Sequence, residues 1–199
     1  MPFLAQESLP IPGTDLLSWY FNNNPEIPES KRDEPIYIDA ADPIRHYTHR
    51  SAERTIRLIA AGLCAQGLKP GDAVCIHSFN TVDYPILVNG IIAAGCIFSG
   101  TNPSYTPAEL AHAVKAARIK FFIAEPELFG AVLEAAGTVG LGRERVLCFD
   151  TREGQVVPEG FESWRRLLEH GEAGWEGFDD VGRSRKETAA RLFSSGESK

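Results

Sequence analysis

The sequence has no apolar run of the roughly 18–20 residues that a membrane-spanning helix needs. Its N-terminus, Met1-Pro2-Phe3-Leu4-Ala5-Gln6-Glu7, lacks a basic stretch followed by an apolar core, so an intracellular protein is expected. Basic residues are scarce: 20 Lys and Arg face 27 Asp and Glu, the formal charge is −7, and no basic stripe is visible. That balance disfavours nucleic acid and anionic lipid as partners, because both need a phosphate-tracking surface. No Gly-x-Gly-x-x-Gly string follows the first apolar run, which argues against a Rossmann-type dinucleotide binder. Only four cysteines occur, Cys64, Cys75, Cys96 and Cys148, with no Cys-x-x-Cys pair, and the last three fall in apolar segments as small core residues. His46 and His49 form a His-x-x-His string without a third ligand at zinc-site spacing, so no metal is assigned. Internal repeats and low-complexity tracts are also missing.

What is present is the composition of a folded globular chain, 43% hydrophobic and 24% charged over 199 residues, long enough to bury a sizeable core. Six of the thirteen prolines lie in residues 1–35, which reads as an extended N-terminal arm with one short helix over residues 15–21. Residues 36–199 read as a single, incomplete domain. Ile36-Tyr37-Ile38 suits a short strand. Thr48 can cap a helix whose apolar positions Ala52, Ile56, Ile59 and Leu63 recur at helical spacing, with Gly67 as its stop.

Lys69-Pro70-Gly71-Asp72 is a turn into the apolar run of residues 73–78, a buried strand. Residues 81–95 are apolar on nearly every side and carry Pro85 in the first turn, which fits a buried helix. A strand at 97–99 follows, then Thr106-Pro107-Ala108-Glu109, a capping box with proline at the first helical position, opening a helix to about Ala117. A strand at 121–124, a helix at 127–136 and a strand at 146–149 complete a β-α-β-α-β alternation. That alternation predicts an α/β fold with a mostly parallel sheet and flanking helices. Residues 151–187 turn polar and glycine-rich and read as a long connection holding one short helix near 161–168. Residues 189–193 read as a final strand feeding Ser194-Ser195-Gly196. Small residues in such a turn let consecutive backbone N–H groups converge on an anion, so Ser194, Ser195 and Gly196 are the candidate phosphate-binding residues.

Three strings, in order, resemble the N-terminal part of the adenylate-forming acyl- and aryl-CoA ligases, with the nearest likeness to fungal enzymes similar to 4-coumarate-CoA ligase. They are Gly67-Leu68-Lys69-Pro70-Gly71-Asp72, Thr101-Asn102-Pro103-Ser104-Tyr105-Thr106-Pro107-Ala108-Glu109-Leu110, and Leu192-Phe193-Ser194-Ser195-Gly196. The first and third are weak signals alone and the middle one is moderately specific; their order makes the set strong. The resemblance runs from about Ile11 to Gly196. It implies the N-terminal portion of the large domain of adenylate-forming enzymes. It also implies ATP, Mg²⁺ and coenzyme A as cofactors, and a small carboxylic acid as substrate, activated to an acyl-adenylate and passed to the coenzyme A thiol.

Ser194, Ser195 and Gly196 match the first three places of the family's phosphate loop, S-S-G-T-T-G-x-P-K. Glu197 and Ser198 stand where two threonines belong, and Lys199 comes too early to be the loop lysine. A Glu197 carboxylate beside triphosphate oxygens adds a repulsion on the order of 1–4 kcal/mol, so ATP binding by these residues alone is expected to be poor. No catalytic residue is assigned, because the family's remaining site elements have no counterpart in the sequence. The expectation is therefore a chain that is inactive by itself. The non-catalytic alternative is an interaction module that docks an intact ligase or self-associates through exposed apolar surface.

Gly196-Glu197-Ser198 can be encoded by GGT-GAG-TCN, which contains the intron start GTGAGT, so the break in the motif after Gly196 reads either as translation into an unspliced intron or as a real truncation. Localisation is expected to be cytoplasmic or peroxisomal, although the terminus is not the S-K-L address.

Overall fold

Strands that are apolar on both faces must be covered on both, and the computed structural model, which describes residues 12–22 and 27–193, shows how this chain does it. Five strands form one sheet: β3 (Ala73–His77), β4 (Ile97–Gly100), β5 (Ile119–Ala124), β6 (Val146–Cys148) and β7 (Glu162–Ser163), in the order β4-β3-β5-β6-β7. Every pairing within it is parallel. The alternation read from the sequence is thus an α/β fold with a parallel sheet between helices. All five residues of β3 are buried, as its interior place between β4 and β5 requires.

Alternate residues of the strands supply two cores. Val74, Ile76, Phe121, Ile123 and Leu147 face α2 (His49–Ala65), α3 (Tyr84–Ala93) and a 3₁₀ turn over Trp164–Glu169. Cys75, Phe122, Ala124 and Cys148 face α4 (Pro107–Ala117) and α5 (Phe129–Thr138). The helix α2 starts where Thr48 accepts from the Ser51 backbone while the Ser51 side chain closes the box, and its Ala52, Ile56, Ile59 and Leu63 are fully buried. The predicted box at α4 is present too, Thr106 accepting from Glu109 N and Glu109 from Thr106 N, with Pro107 at the first position. Gly90 of α3 sits against the Ile59 side chain of α2, leaving no room for a β-carbon, which is how those two helices approach so closely.

The short helix α1 (Leu16–Phe21) buries Leu17 and Phe21 in the first of these cores. Asp15 caps it, and its carboxylate also accepts from Phe178 N at 3.1 Å, tying this segment to the distant loop before α6 (Val181–Ser184).

The strand expected at residues 36–38 is present, and three other elements differ from the sequence reading. Residues 36–38 belong to β1 (Pro35–Ile38), which pairs antiparallel with β2 (His46–Thr48) as a separate two-stranded sheet. The helix expected from residue 81 begins at Tyr84, after a turn over residues 82–83 in which Tyr84 N donates to the Thr81 carbonyl at 3.1 Å, and its N-cap Asp83 makes no side-chain cap because its carboxylate is taken by Arg45 and Tyr47. The helix expected over 161–168 is β7 followed by the 3₁₀ turn, in which Trp164 and Leu167 are buried against α2. The strand expected over 189–193 is a single parallel bridge, Ala190 to Phe98, on the outer edge of β4.

Candidate functional site: the carboxyl edge of the sheet

The chain builds β4 outward from β3, then crosses back to place β5 on the other side of β3. The topology therefore reverses between β3 and β5. In open parallel sheets a crevice opens at such a point, beyond the carboxyl ends of the strands, and ligands bind there.

Polar side chains emerge at this edge where the apolar strands end. His77, the last residue of β3, is fully buried, and its Nδ1 lies 2.8 Å from the Thr101 hydroxyl just after β4. The Cys75 thiol lies 3.6 Å from the same hydroxyl. Burial pulls the His77 imidazole down to about 4 and pushes the Cys75 thiol up to about 12, so both groups are neutral near pH 7. Among the described residues His77 Nε2 has no partner.

Ser78 donates to Glu125 Oε1 at 2.8 Å, and Glu125, fully buried at the end of β5, also receives the guanidinium of Arg152. Arg152 reaches Glu127 as well, at 3.8 Å, and Gln155 donates to Glu127 at 2.9 Å, so the loop after β6 is held down on this edge.

A second polar knot lies beside it. Buried Asp83 accepts from the Tyr47 hydroxyl at 2.6 Å and from Arg45 at 3.2 Å, and Arg45 also donates to the Thr151 carbonyl at 2.9 Å. Burial first, and the Asp83 charge second, raise the Tyr47 hydroxyl above its ordinary value and keep it protonated. These contacts fix loops. Among the described residues they offer no activated thiol, since burial keeps both Cys75 and Cys148, the last residue of β6, protonated near pH 7.

The segment that precedes the residues assigned to phosphate binding lies beside β4. Phe98 N donates to the Ala189 carbonyl at 3.0 Å, Arg191 N to the Phe98 carbonyl at 2.8 Å, and Ser99 Oγ to the Arg191 carbonyl at 2.9 Å. Residues 189–193 thus run parallel to β4, toward its carboxyl end, and Phe193 packs on the α4–α5 core. Ser194, Ser195 and Gly196 lie outside the described residues.

His46 and His49 do not converge: the His46 ring reaches the Pro43 carbonyl and is exposed, whereas His49 is buried with Nε2 at 3.2 Å from the Tyr20 carbonyl. Among the described residues no group of three or more His, Cys, Asp or Glu is placed to hold a metal. No described helix is long and apolar enough to cross a membrane. Sequence reasoning missed the crevice residues His77, Ser78, Thr101, Glu125 and Arg152. The one usable signal was polarity placed directly after apolar runs, at His77-Ser78 and at Glu125.

Comparison with known proteins bears on this edge. A family model described as AMP-binding enzyme matches residues 26–196. An acyl-CoA ligase of Aspergillus niger, azaF, is 45% identical over 197 residues, covering 98% of this chain and 36% of that protein. A phenylacetyl-CoA ligase of Aspergillus niger, epaB, is 44% identical, with 98% of this chain and 36% of that protein covered. Among solved structures, an anthranilate CoA ligase in complex with anthranoyl-AMP superposes with a TM-score of 0.73 at 16% identity, over 94% of this chain and 32% of that one. The apo form of MatB from Rhodopseudomonas palustris gives 0.69 at 21% identity, over 95% and 34%. The structural likenesses show the fold. The chain belongs to the AMP-binding enzyme family, the adenylate-forming superfamily. The relatives it resembles most among those named are fungal acyl-CoA ligases, and it spans about 36% of their length.

Proposed function

We propose that these residues form the N-terminal part of an AMP-forming acyl-CoA ligase, which activates a small carboxylic acid with ATP and passes the acyl group to coenzyme A. The observation that carries this reading is the family match over residues 26–196 together with 45% identity to an acyl-CoA ligase along nearly the whole chain. Within it, Ser194, Ser195 and Gly196 hold phosphate oxygens of ATP; in support, the bridge of Ala190 to Phe98 leads the preceding residues 189–193 along β4. A Mg²⁺ ion, when bound, neutralises phosphate charge. No described cluster suits it, so its ligands are assigned to the ATP phosphates and to parts of a complete ligase outside this sequence. The polypeptide of 199 residues alone does not adenylate, because it spans about a third of its relatives and Glu197 stands in the phosphate loop.

ATP–pyrophosphate exchange tests the reading directly. The purified 199-residue chain with ATP, Mg²⁺ and a panel of aromatic and aliphatic acids is expected to show none, and robust exchange refutes inertness.

A second reading, self-association, is favoured by the sheet's outer edge. Beside β4 only the Ala190 bridge is formed among the described residues, and Leu192 next to it is 71% exposed. Light scattering that finds a monodisperse monomer rejects this reading.

A further inference from the structure

We propose that a cavity at the amino edge of the sheet, opposite the crevice, is a binding site for a small organic cation with an apolar body. The cavity has a volume of about 400 Å³, within the range of small-molecule sites. It lies between the end of α2, the end of α3, α1 and the loop of residues 173–178, under the turn that leads into β4. Its walls are apolar and aromatic: Leu17, Ala60, Ile92, Cys96, Trp175 and Phe178.

The rim decides which ligand fits. Of the residues that line the cavity, those with charge are Asp15, Glu176, Glu187 and Arg183, three carboxylates against one guanidinium, for a net charge of −2. Arg183 is already engaged, with Glu176 at 2.7 Å, Glu187 at 2.6 Å and its guanidinium 4.4 Å over the Phe178 ring. Arg57, whose guanidinium is 4.3 Å over the Trp175 ring, does not line the cavity and is paired with Glu53. The Asp15 oxygens accept from Ser18 N and Phe178 N, which fixes that carboxylate in place. The Glu176 carboxyl is held below its ordinary value by Arg183, so it stays ionised. An acid or a phosphate is therefore repelled at this rim, whereas an ammonium group gains from it and an aromatic or aliphatic body fills the interior. The site is separate from the carboxyl edge and does not depend on the ligase reading.

The test compares two probes of similar shape and opposite charge, phenethylammonium and phenylacetate, on the 199-residue chain. The indole N–H signal of Trp175 in an NMR titration, assigned through Trp175→Phe, reports occupancy. Phenethylammonium is expected to shift it saturably and with at least ~10-fold higher affinity than phenylacetate. Glu176→Gln, at an exposed position where folding can be checked by circular dichroism, is expected to weaken phenethylammonium by about threefold and leave phenylacetate no weaker. N-ethylmaleimide labelling of the exposed Cys64, which lines the cavity, is expected to slow when phenethylammonium is bound. Equal affinity for the two probes, no saturable shift with phenethylammonium, or an unchanged affinity in the folded Glu176→Gln chain each overturns the proposal.

Discussion

The residues that hold the crevice together can be weighed one at a time. Glu125 is fully buried and its charge is balanced by Arg152, which is half exposed. Arg152→Ala leaves a buried carboxylate with the Ser78 hydroxyl as its remaining partner. The expected cost is about 1–3 kcal/mol, discounted from the full cost of breaking a buried pair because solvent reaches the arginine side. A lowered urea midpoint with an unchanged slope checks it.

His77 gives a pH dependence with a definite sign. Its folded value of about 4 lies below the ordinary 6.5, so between those limits the unfolded chain binds a proton that the folded chain refuses. Stability contributed by the neutral imidazole is complete above about pH 6.5 and is lost as pH falls toward 4, by at most ~1.4 kcal/mol per pH unit. Urea midpoints measured down this range are expected to fall less steeply in His77→Gln than in the parent. Neither residue was legible in the sequence as part of a site. A histidine or glutamate next to an apolar run acquires meaning only when strand order places both at the topological reversal. The assignment of Ser194, Ser195 and Gly196 is a proposal of the opposite kind, resting on a local run of small residues that lies outside the described part of the chain.

Elements were legible where local chemistry dictates them. The cap at Thr48, the capping box at Thr106 and the buried stripe Ala52, Ile56, Ile59 and Leu63 are each encoded within a few residues and occur as the sequence implies. Thr106→Ala removes the side chain that accepts from Glu109 N, with an expected loss of about 1 kcal/mol in a thermal or urea melt.

The elements that escaped the sequence depend on distant partners. β7 has two residues, Glu162 and Ser163, both polar and too few to show periodicity, and exists because Leu147 and Cys148 of β6 offer it an edge. The following turn is held by Trp164 and Leu167 against α2, where Gly62 receives the Leu167 backbone with no space for a β-carbon. Gly62→Ala is therefore expected to push that turn off α2 and cost about 3 kcal/mol, despite alanine's better helix propensity. A melt showing stabilisation contradicts this packing.

At the scale of the whole molecule, the chain is a doubly covered parallel sheet of the adenylate-forming type whose carboxyl edge is locked by polar side chains and approached by the segment before Ser194. Fold class was legible because β-α-β alternation restricts topology strongly. The family was legible only through the ordered motifs, since the polar side chains at the carboxyl edge become neighbours only in the fold.

The central claim is that this sequence serves as the first third of an acyl-CoA ligase. The measurement that tests it most directly is ATP–pyrophosphate exchange by a fusion of residues 1–196 to the remainder of the 45% identical Aspergillus niger acyl-CoA ligase, from its matching phosphate loop onward. The account predicts acid-dependent exchange that falls by about tenfold or more when Ser194 and Ser195 are both replaced by alanine. A soluble, cooperatively folded fusion with no exchange over a broad panel of acids would contradict it.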